Sequence, residues 1–306
     1  MTLATTRASL PDKPAICDAL VMGAFQSVER VAATLRRLLA VPAALIAAAT
    51  LLMAPAHADQ PLWEIGMGLA SLRVPHYRGS EQSHDWLLPV PYLVYRGQMF
   101  RSDRDGTRAV LLDGERLDFD ISLDASPPAR SGSNRARAGM PDLQATLEIG
   151  PNLNMMLAKG MGWKLDLRVP VRGVVTLRSP VREIGFTATP VINLDLDLNG
   201  WSIGLQGGPL AASRRYHGYF YGVDPRYASV TRPAYRASSG FAGWGATASA
   251  SRRIGDWWLA GFLRADSVAG AAFAASPLVT QRSNLTLGVA ASWVFKVSDE
   301  RVADRR

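Results

Sequence analysis

The chain has 306 residues, 48% of them hydrophobic and 20% charged, so it can bury a core and is not compositionally disordered. Its 34 basic residues against 26 acidic ones give a net charge of +8, and all the basic residues except Lys13, Lys159, Lys164 and Lys296 are arginine. That balance suits phosphate-bearing surfaces, yet no recognition helix, aromatic-basic RNA motif or zinc-finger spacing accompanies it, so nucleic acid is not expected as a partner.

Residues 1–58 read as an N-terminal extension ending in a secretory signal peptide. Arg36 and Arg37 precede the apolar run LLAVPAALIAAATLLMAPA, which closes on Ala56-His57-Ala58, a small-x-small cleavage site followed by Asp59. A retained transmembrane anchor is the competing reading, but the run is Ala-rich, contains Pro42 and ends in the cleavage signature. Cleavage is expected after Ala58, and a start at Met22 would give a leader of ordinary length. The single cysteine, Cys17, lies in this leader, so no disulfide, thiolate metal site or catalytic thiol is expected in the mature chain.

From residue 62 onward, apolar and polar residues alternate with the period of a β-strand. In RLDFDISLDAS the apolar Leu117, Phe119, Ile121 and Leu123 alternate with Asp118, Asp120, Ser122 and Asp124. The same rule sets Leu147, Ile149, Leu153 and Met155 against Glu148, Gly150, Asn152 and Asn154. In WKLDLRVPVRGVV, Trp163, Leu165, Leu167, Val169 and Val171 oppose Lys164, Asp166, Arg168 and Arg172. Further on, Ile192, Leu194, Leu196 and Leu198 oppose Asn193, Asp195, Asp197 and Asn199, and LTLGVAASWVF puts Leu285, Leu287, Val289, Ala291, Trp293 and Phe295 on one face. The segments run to roughly 9–13 residues, the length of a tilted bilayer-crossing strand. Trp63, Trp163, Trp201 and Trp257 open segments and Trp293 nearly closes the last, as the aromatic girdles of membrane barrels do.

Gly-bearing tight turns at 96–97, 113–114, 159–162, 199–200 and 254–255 alternate with longer connections at 73–85, 103–106, 127–142, 178–183, 212–235 and 268–283. Short periplasmic turns with longer outer loops are the outer-membrane pattern. The predicted fold is therefore all-β: a transmembrane antiparallel up-and-down barrel over residues 59–295, followed by a short charged tail at 296–306. Its twelve strands are expected at 62–72, 86–95, 98–103, 107–112, 116–126, 143–157, 163–175, 184–198, 201–211, 237–251, 256–267 and 284–295. Dropping the short pair within 98–112 gives ten. The expected address is the outer membrane, in contact with its lipid and lipopolysaccharide.

In such a barrel the apolar face meets lipid and the charged face lines the lumen. Asp118, Asp120, Asp124, Glu148, Lys164, Asp166, Arg168, Arg172, Asp195 and Asp197 are the expected lining. They either cross-brace a nearly closed interior or tune a selective pore, and the sequence leaves both open. The longest loop carries Arg214, Arg215, Tyr216, His217, Tyr219, Tyr221, Tyr227, Arg232 and Tyr235. It is expected either to present an interaction surface or to fold inward as a plug.

Several segments resemble the MltA-interacting protein MipA/OmpV family of outer-membrane proteins: YRGS (77–80), YRGQMFRSDRDG (95–106), RARAGMPDL (135–143), LEIGPNLN (147–154), YHGYFYGVDPRYA (216–228), RPAYRASSGFAG (232–243) and ASWVF (291–295). The resemblance spans 60–295 and implies an outer-membrane barrel. It also implies a structural or scaffolding role in the envelope, joining a lytic transglycosylase to a penicillin-binding protein in murein synthesis. Other members are linked to osmotic adaptation, adhesion or antibiotic response, and a porin-like diffusion channel is the alternative. Unlike barrels that stop at a terminal aromatic, this chain continues past Phe295 with KVSDERVADRR.

No enzyme is expected. Ser83, His84 and Asp85 are consecutive, cannot form a nucleophile–base–orienter geometry, and read as a polar outer loop. His217 among Tyr216, Tyr219, Phe220 and Tyr221 has no Ser or carboxylate fixed near it by spacing. No HExxH, metal cluster or phosphate-cradling Gly loop points to a metal or cofactor.

Overall fold

The computed structural model describes residues 60–97, 100–103, 106–114 and 116–302. The leader, Cys17 and the expected cleavage after Ala58 lie outside the described residues. Nearly everything described is antiparallel strand: β1 Trp63–Pro75, β2 Ser83–Arg96, β3 Phe100–Asp103, β4 Gly106–Asp113, β5 Leu117–Ser126, β6 Thr146–Gly160 and β7 Trp163–Thr176. They are followed by β8, in two segments Glu183–Ala188 and Val191–Leu198, then β9 Trp201–Ala212, β10 Gly240–Ile254, β11 Trp257–Ser267 and β12 Ser283–Val297. Each strand pairs with its sequence neighbour, and β12 returns to β1 through a register from Leu287↔Arg73 to Val297↔Glu64. The remaining pairs, β7–β8 to β11–β12, complete a ring of twelve strands without a free edge. The ten-strand alternative falls, because β3 and β4 both pair within the ring.

Closure explains the alternation. Outward positions must be apolar because they face hydrocarbon, and the exposed Leu87, Leu93, Leu153, Leu205, Leu263 and Leu285 lie there. Inward positions are polar: Asp120, Asp166 and Asn193 are at most 4% exposed. Asn199 at φ 49° and Gly200 at φ 79° form the two-residue β8–β9 turn, whose twist requires positive φ at both positions. The five tryptophans that mark strand ends gather at one end: Trp63 pairs with Tyr95 and Trp257 with Trp293, while Trp163 and Trp201 begin strands at the same, short-turn end; Trp244, exposed on β10, lies at the other end.

Several expected boundaries shift. β1 and β2 run on to Pro75 and back to Ser83, so Ser83, His84 and Asp85 are strand residues paired with Pro75, Val74 and Arg73 rather than a loop. β6 and β10 start three residues later than expected, at Thr146 and Gly240. Leu143, 2% exposed, instead bridges to Ala129 in the loop layer. At the other end the last strand continues through Lys296 to Val297. Arg301–Val302 then pairs with Gln60–Pro61, clasping the segments before β1 and after β12 together.

The wall has lipid on one side and a polar lumen on the other, so the apolar core sits elsewhere. It lies at the long-loop end, where Tyr77, Ala129, Leu143, Tyr221, Val223, Val268, Phe273 and Leu278 pack into one cluster. Phe273 and Leu278 are at most 1% exposed.

The capped lumen as candidate functional site

Charge inside the barrel is arranged in cross-strand braces. On β7 and β8, Arg168 donates to Asp166 (2.8 Å) and Asp195 (3.3 Å), and Asn193 bridges the same two carboxylates at 3.2 and 2.9 Å. Lys164 stands 3.4 Å from Asp166. Next to them, Asp120 accepts from Asn152 (3.3 Å) and Asn154 (2.6 Å) of β6. Arg172 donates to the Ser122 hydroxyl (2.9 Å) and lies 3.7 Å from Asp124, while Thr187 donates to Glu148 at 3.0 Å. Asp118 accepts the Gly114 amide at 3.1 Å. Some of these contacts join residues two apart on one strand or directly opposite on the next, as Arg168–Asp166 and Asn193–Asp166 do, while Arg172–Ser122 and Thr187–Glu148 reach past an intervening strand across the curved inner wall.

Asp118, Asp120, Asp124, Glu148, Lys164, Asp166, Arg168 and Arg172 line an internal cavity of about 710 Å³. Asp195 is buried behind that lining, and Asp197 is exposed at the turn end, where Ser202 donates to it at 2.9 Å. The opposite wall is built from small or apolar groups, among them Gly207, Gly208, Gly245, Thr247 and Phe262, which leave the space unfilled.

Two clusters were not anticipated from the sequence. Arg264 is bidentate to Asp266 (2.8 and 2.9 Å), and Arg78 from the first loop adds a third bond at 3.0 Å. Near the turn end, Glu64, 5% exposed, is paired with both Arg96 (2.7 Å) and Arg253, beside the ring pair Tyr92–Trp258. Arg264 and Asp266 do alternate along β11, but inward Phe262 and Trp258 break the polar period there. Glu64 and Arg253 are separated by 189 residues, with no local signal linking them.

The long loop closes the other end. Ser213 accepts the Tyr216 amide and caps helix α1, Arg214–Tyr221, which lies over the lumen with Tyr216, Phe220 and Tyr221 on the cavity. Burial pushes the Tyr216 and Tyr221 hydroxyls well above their ordinary range, so both stay neutral donors. The Tyr221 hydroxyl donates to the Arg78 carbonyl at 2.9 Å while its ring stacks on Phe273 at 3.5 Å. His217 is fully buried against Phe273, and burial lowers its pKa. A neutral His217 places Nδ1–H on the Ser238 carbonyl at 2.7 Å and leaves Nε2 without a partner.

The other loop residues act as staples or stand outward. The Tyr219 hydroxyl accepts the Gln144 amide at 2.7 Å, and Tyr235 bridges Val223 through its backbone. Arg232 donates to the Tyr227, Ala136 and Ala138 carbonyls, tying this loop to the 127–145 loop. Buried Arg137 of that loop reaches the Phe220 carbonyl at 2.9 Å. Arg214 and Arg215 point outward, Arg215 pairing with Glu183. Ser83, His84 and Asp85 are exposed, His84 lying 4.5 Å from the Trp86 ring. No group of three metal-ligating side chains occurs among the described residues.

Compared with known proteins, residues 66–295 match the family of the MltA-interacting protein MipA. No curated protein matches the sequence. Among solved structures, an outer membrane channel from Pseudomonas putida F1 is 12% identical, with 80% of this chain and 100% of that one covered and a TM-score of 0.40. Outer membrane phospholipase A from Escherichia coli is 11% identical over 77% of this chain and 94% of that one, with a TM-score of 0.31. The Pseudomonas putida toluene transporter TodX is 8% identical over 80% and 69%, with a TM-score of 0.27. At these values no activity passes from those proteins to this chain.

Proposed function

This chain belongs to the MltA-interacting protein MipA family, and from that premise we propose that it is a capped, non-conducting barrel with a structural or scaffolding role in the cell envelope. Its non-enzymatic character is part of the same reading. The observation that carries it is the cap: helix α1 lies over the lumen, fixed by Tyr221–Phe273 stacking and by arginine staples to neighbouring loops. Inside, the carboxylates are held in short braces rather than displayed as rings that would draw ions through.

A scaffold of this topology presents its partner-binding surface at the turn end, on the tight turns and the Gln60–Pro61/Arg301–Val302 clasp. The family's name supplies the partner class, a lytic transglycosylase of the MltA type, and a penicillin-binding protein is the second expected guest. A photo-crosslinking residue placed at Met161, Asn199 or Asp256 is expected to capture the transglycosylase in growing cells. Equal capture from the long loops, or capture from neither end, would refute the scaffold. A diffusion channel is the second reading, favoured by the charged cavity of about 710 Å³, and it requires the cap to move aside.

A further inference from the structure

Where β8 is interrupted, the barrel wall lacks part of its hydrogen bonding. Ile192 pairs with Gly207 and Ala188 with Ala211, but no ladder pair joins Thr189–Val191 to Gly208–Leu210. Successive amides of a strand point to opposite neighbours, and the Thr189 amide goes to Pro170 of β7 at 3.2 Å. The next amide position, residue 190, therefore faces β9, directly opposite residue 209. Both are proline and neither can donate, so the two ladder bonds due at this pair are missing. The strands stay together by packing: the Pro190 carbonyl lies so close to Gly208 that a Cβ there would sit 2.0 Å from it.

Two cavities approach each other beside this seam. Inside is the lumen, lined by Thr189, Val191, Gly208 and Leu210; outside, an apolar lipid-facing groove of about 510 Å³ runs over β9–β11 along Leu205, Ala246, Ala248 and Leu263 and reaches the seam at its flanking pair, Ile192 and Gly207. Gln206, Gly207 and Thr247 line both. Within the lumen Arg78 keeps Nη2 buried without a hydrogen-bond partner, a free donor for an anionic group.

We propose that the Pro190–Pro209 seam is a lateral gate through which a single-chain anionic amphiphile, of the fatty-acid type, passes between the bilayer and the capped lumen. The groove and the small-residue wall take its chain, and Arg78 receives its carboxylate. Separating β8 from β9 here breaks no ladder bond, whereas opening a fully bonded pair in hydrocarbon would strand donors and acceptors.

The test uses protein purified from outer membranes in a Cys17→Ser background, returned to phosphatidylcholine vesicles containing diazirine-tagged palmitic acid. Illumination is expected to label inward Phe262 and Thr286 as well as outward Ala248 and Leu263. In Thr189→Cys/Leu210→Cys, oxidation to the cross-strand disulfide should reduce lumenal labelling at least tenfold while leaving outward labelling unchanged, and reduction should restore it. Pro190→Val/Pro209→Val, which supplies both missing donors, should show the same loss without a crosslink, so the test survives if the cysteine pair does not fold. A diazirine-tagged phosphatidylglycerol should label outward positions only. Lumenal labelling that ignores the disulfide and the valines, labelling confined to outward positions in the parent, or lumenal labelling by the two-chain lipid would each overturn the proposal.

Discussion

His217 and Arg137 show how single side chains hold the loop layer. His217 is fully buried beside Phe273, and desolvation holds its pKa below the ordinary 6.5. The folded loop therefore binds fewer protons than the unfolded one, so the cap is fully stable above about pH 6.5 and loses stability as pH falls through that value. Protection of the α1 amides, taken relative to the intrinsic exchange rate at each pH, is expected to fall as pH drops from about 7.5 to about 5, and His217→Phe should remove that dependence; a dependence unchanged in the variant would place the titrating group elsewhere. Arg137 satisfies the Phe220 and Pro141 carbonyls and the Ser131 hydroxyl. Arg137→Ala leaves these acceptors buried and should cost the cap about 2 kcal/mol, read as faster exchange in both 127–145 and 213–239 with the barrel strands unaffected.

At the scale of the elements, the β7–β8 braces carry the largest electrostatic stake. Removing Arg168 leaves Asp166 and Asp195, 3% and 7% exposed, side by side without their shared cation. Arg168→Met is expected to lower stability by about 3–5 kcal/mol in urea unfolding from lipid vesicles, and adding Asp166→Asn and Asp195→Asn should recover most of it. On the outer face, Leu205→Arg should cost roughly 2–4 kcal/mol in the same assay, because that position meets hydrocarbon. These strands are also the part most legible in the sequence. Period-2 alternation from Leu117 to Leu123 and from Trp163 to Val171 is imposed locally by the pleat, so the facing of the long strands could be read without any long-range knowledge, whereas the short pair β3–β4 was settled only by its pairing in the ring. The Arg78–Asp266–Arg264 and Glu64–Arg96–Arg253 groups were not legible, because their members meet only after closure. Nor was the loop core, since Tyr77, Leu143, Tyr221 and Phe273 come from four different loops whose sequences carry no common period.

For the whole molecule, twelve strands enclose more space than their inward side chains fill, and what becomes of that space decides the function. This outer-membrane barrel of the MipA family braces the lumen with paired charges and covers it with a packed loop layer, of which α1 is the part that meets the cavity. The most direct test of that account is single-channel recording in planar bilayers, comparing the intact protein with a variant in which residues 213–239 are replaced by a short Gly-Ser turn. The account predicts no stepwise current from the intact protein and ion currents from the variant. Stepwise currents from the intact protein, at the level seen for the variant, would contradict the capped barrel and make it a diffusion channel.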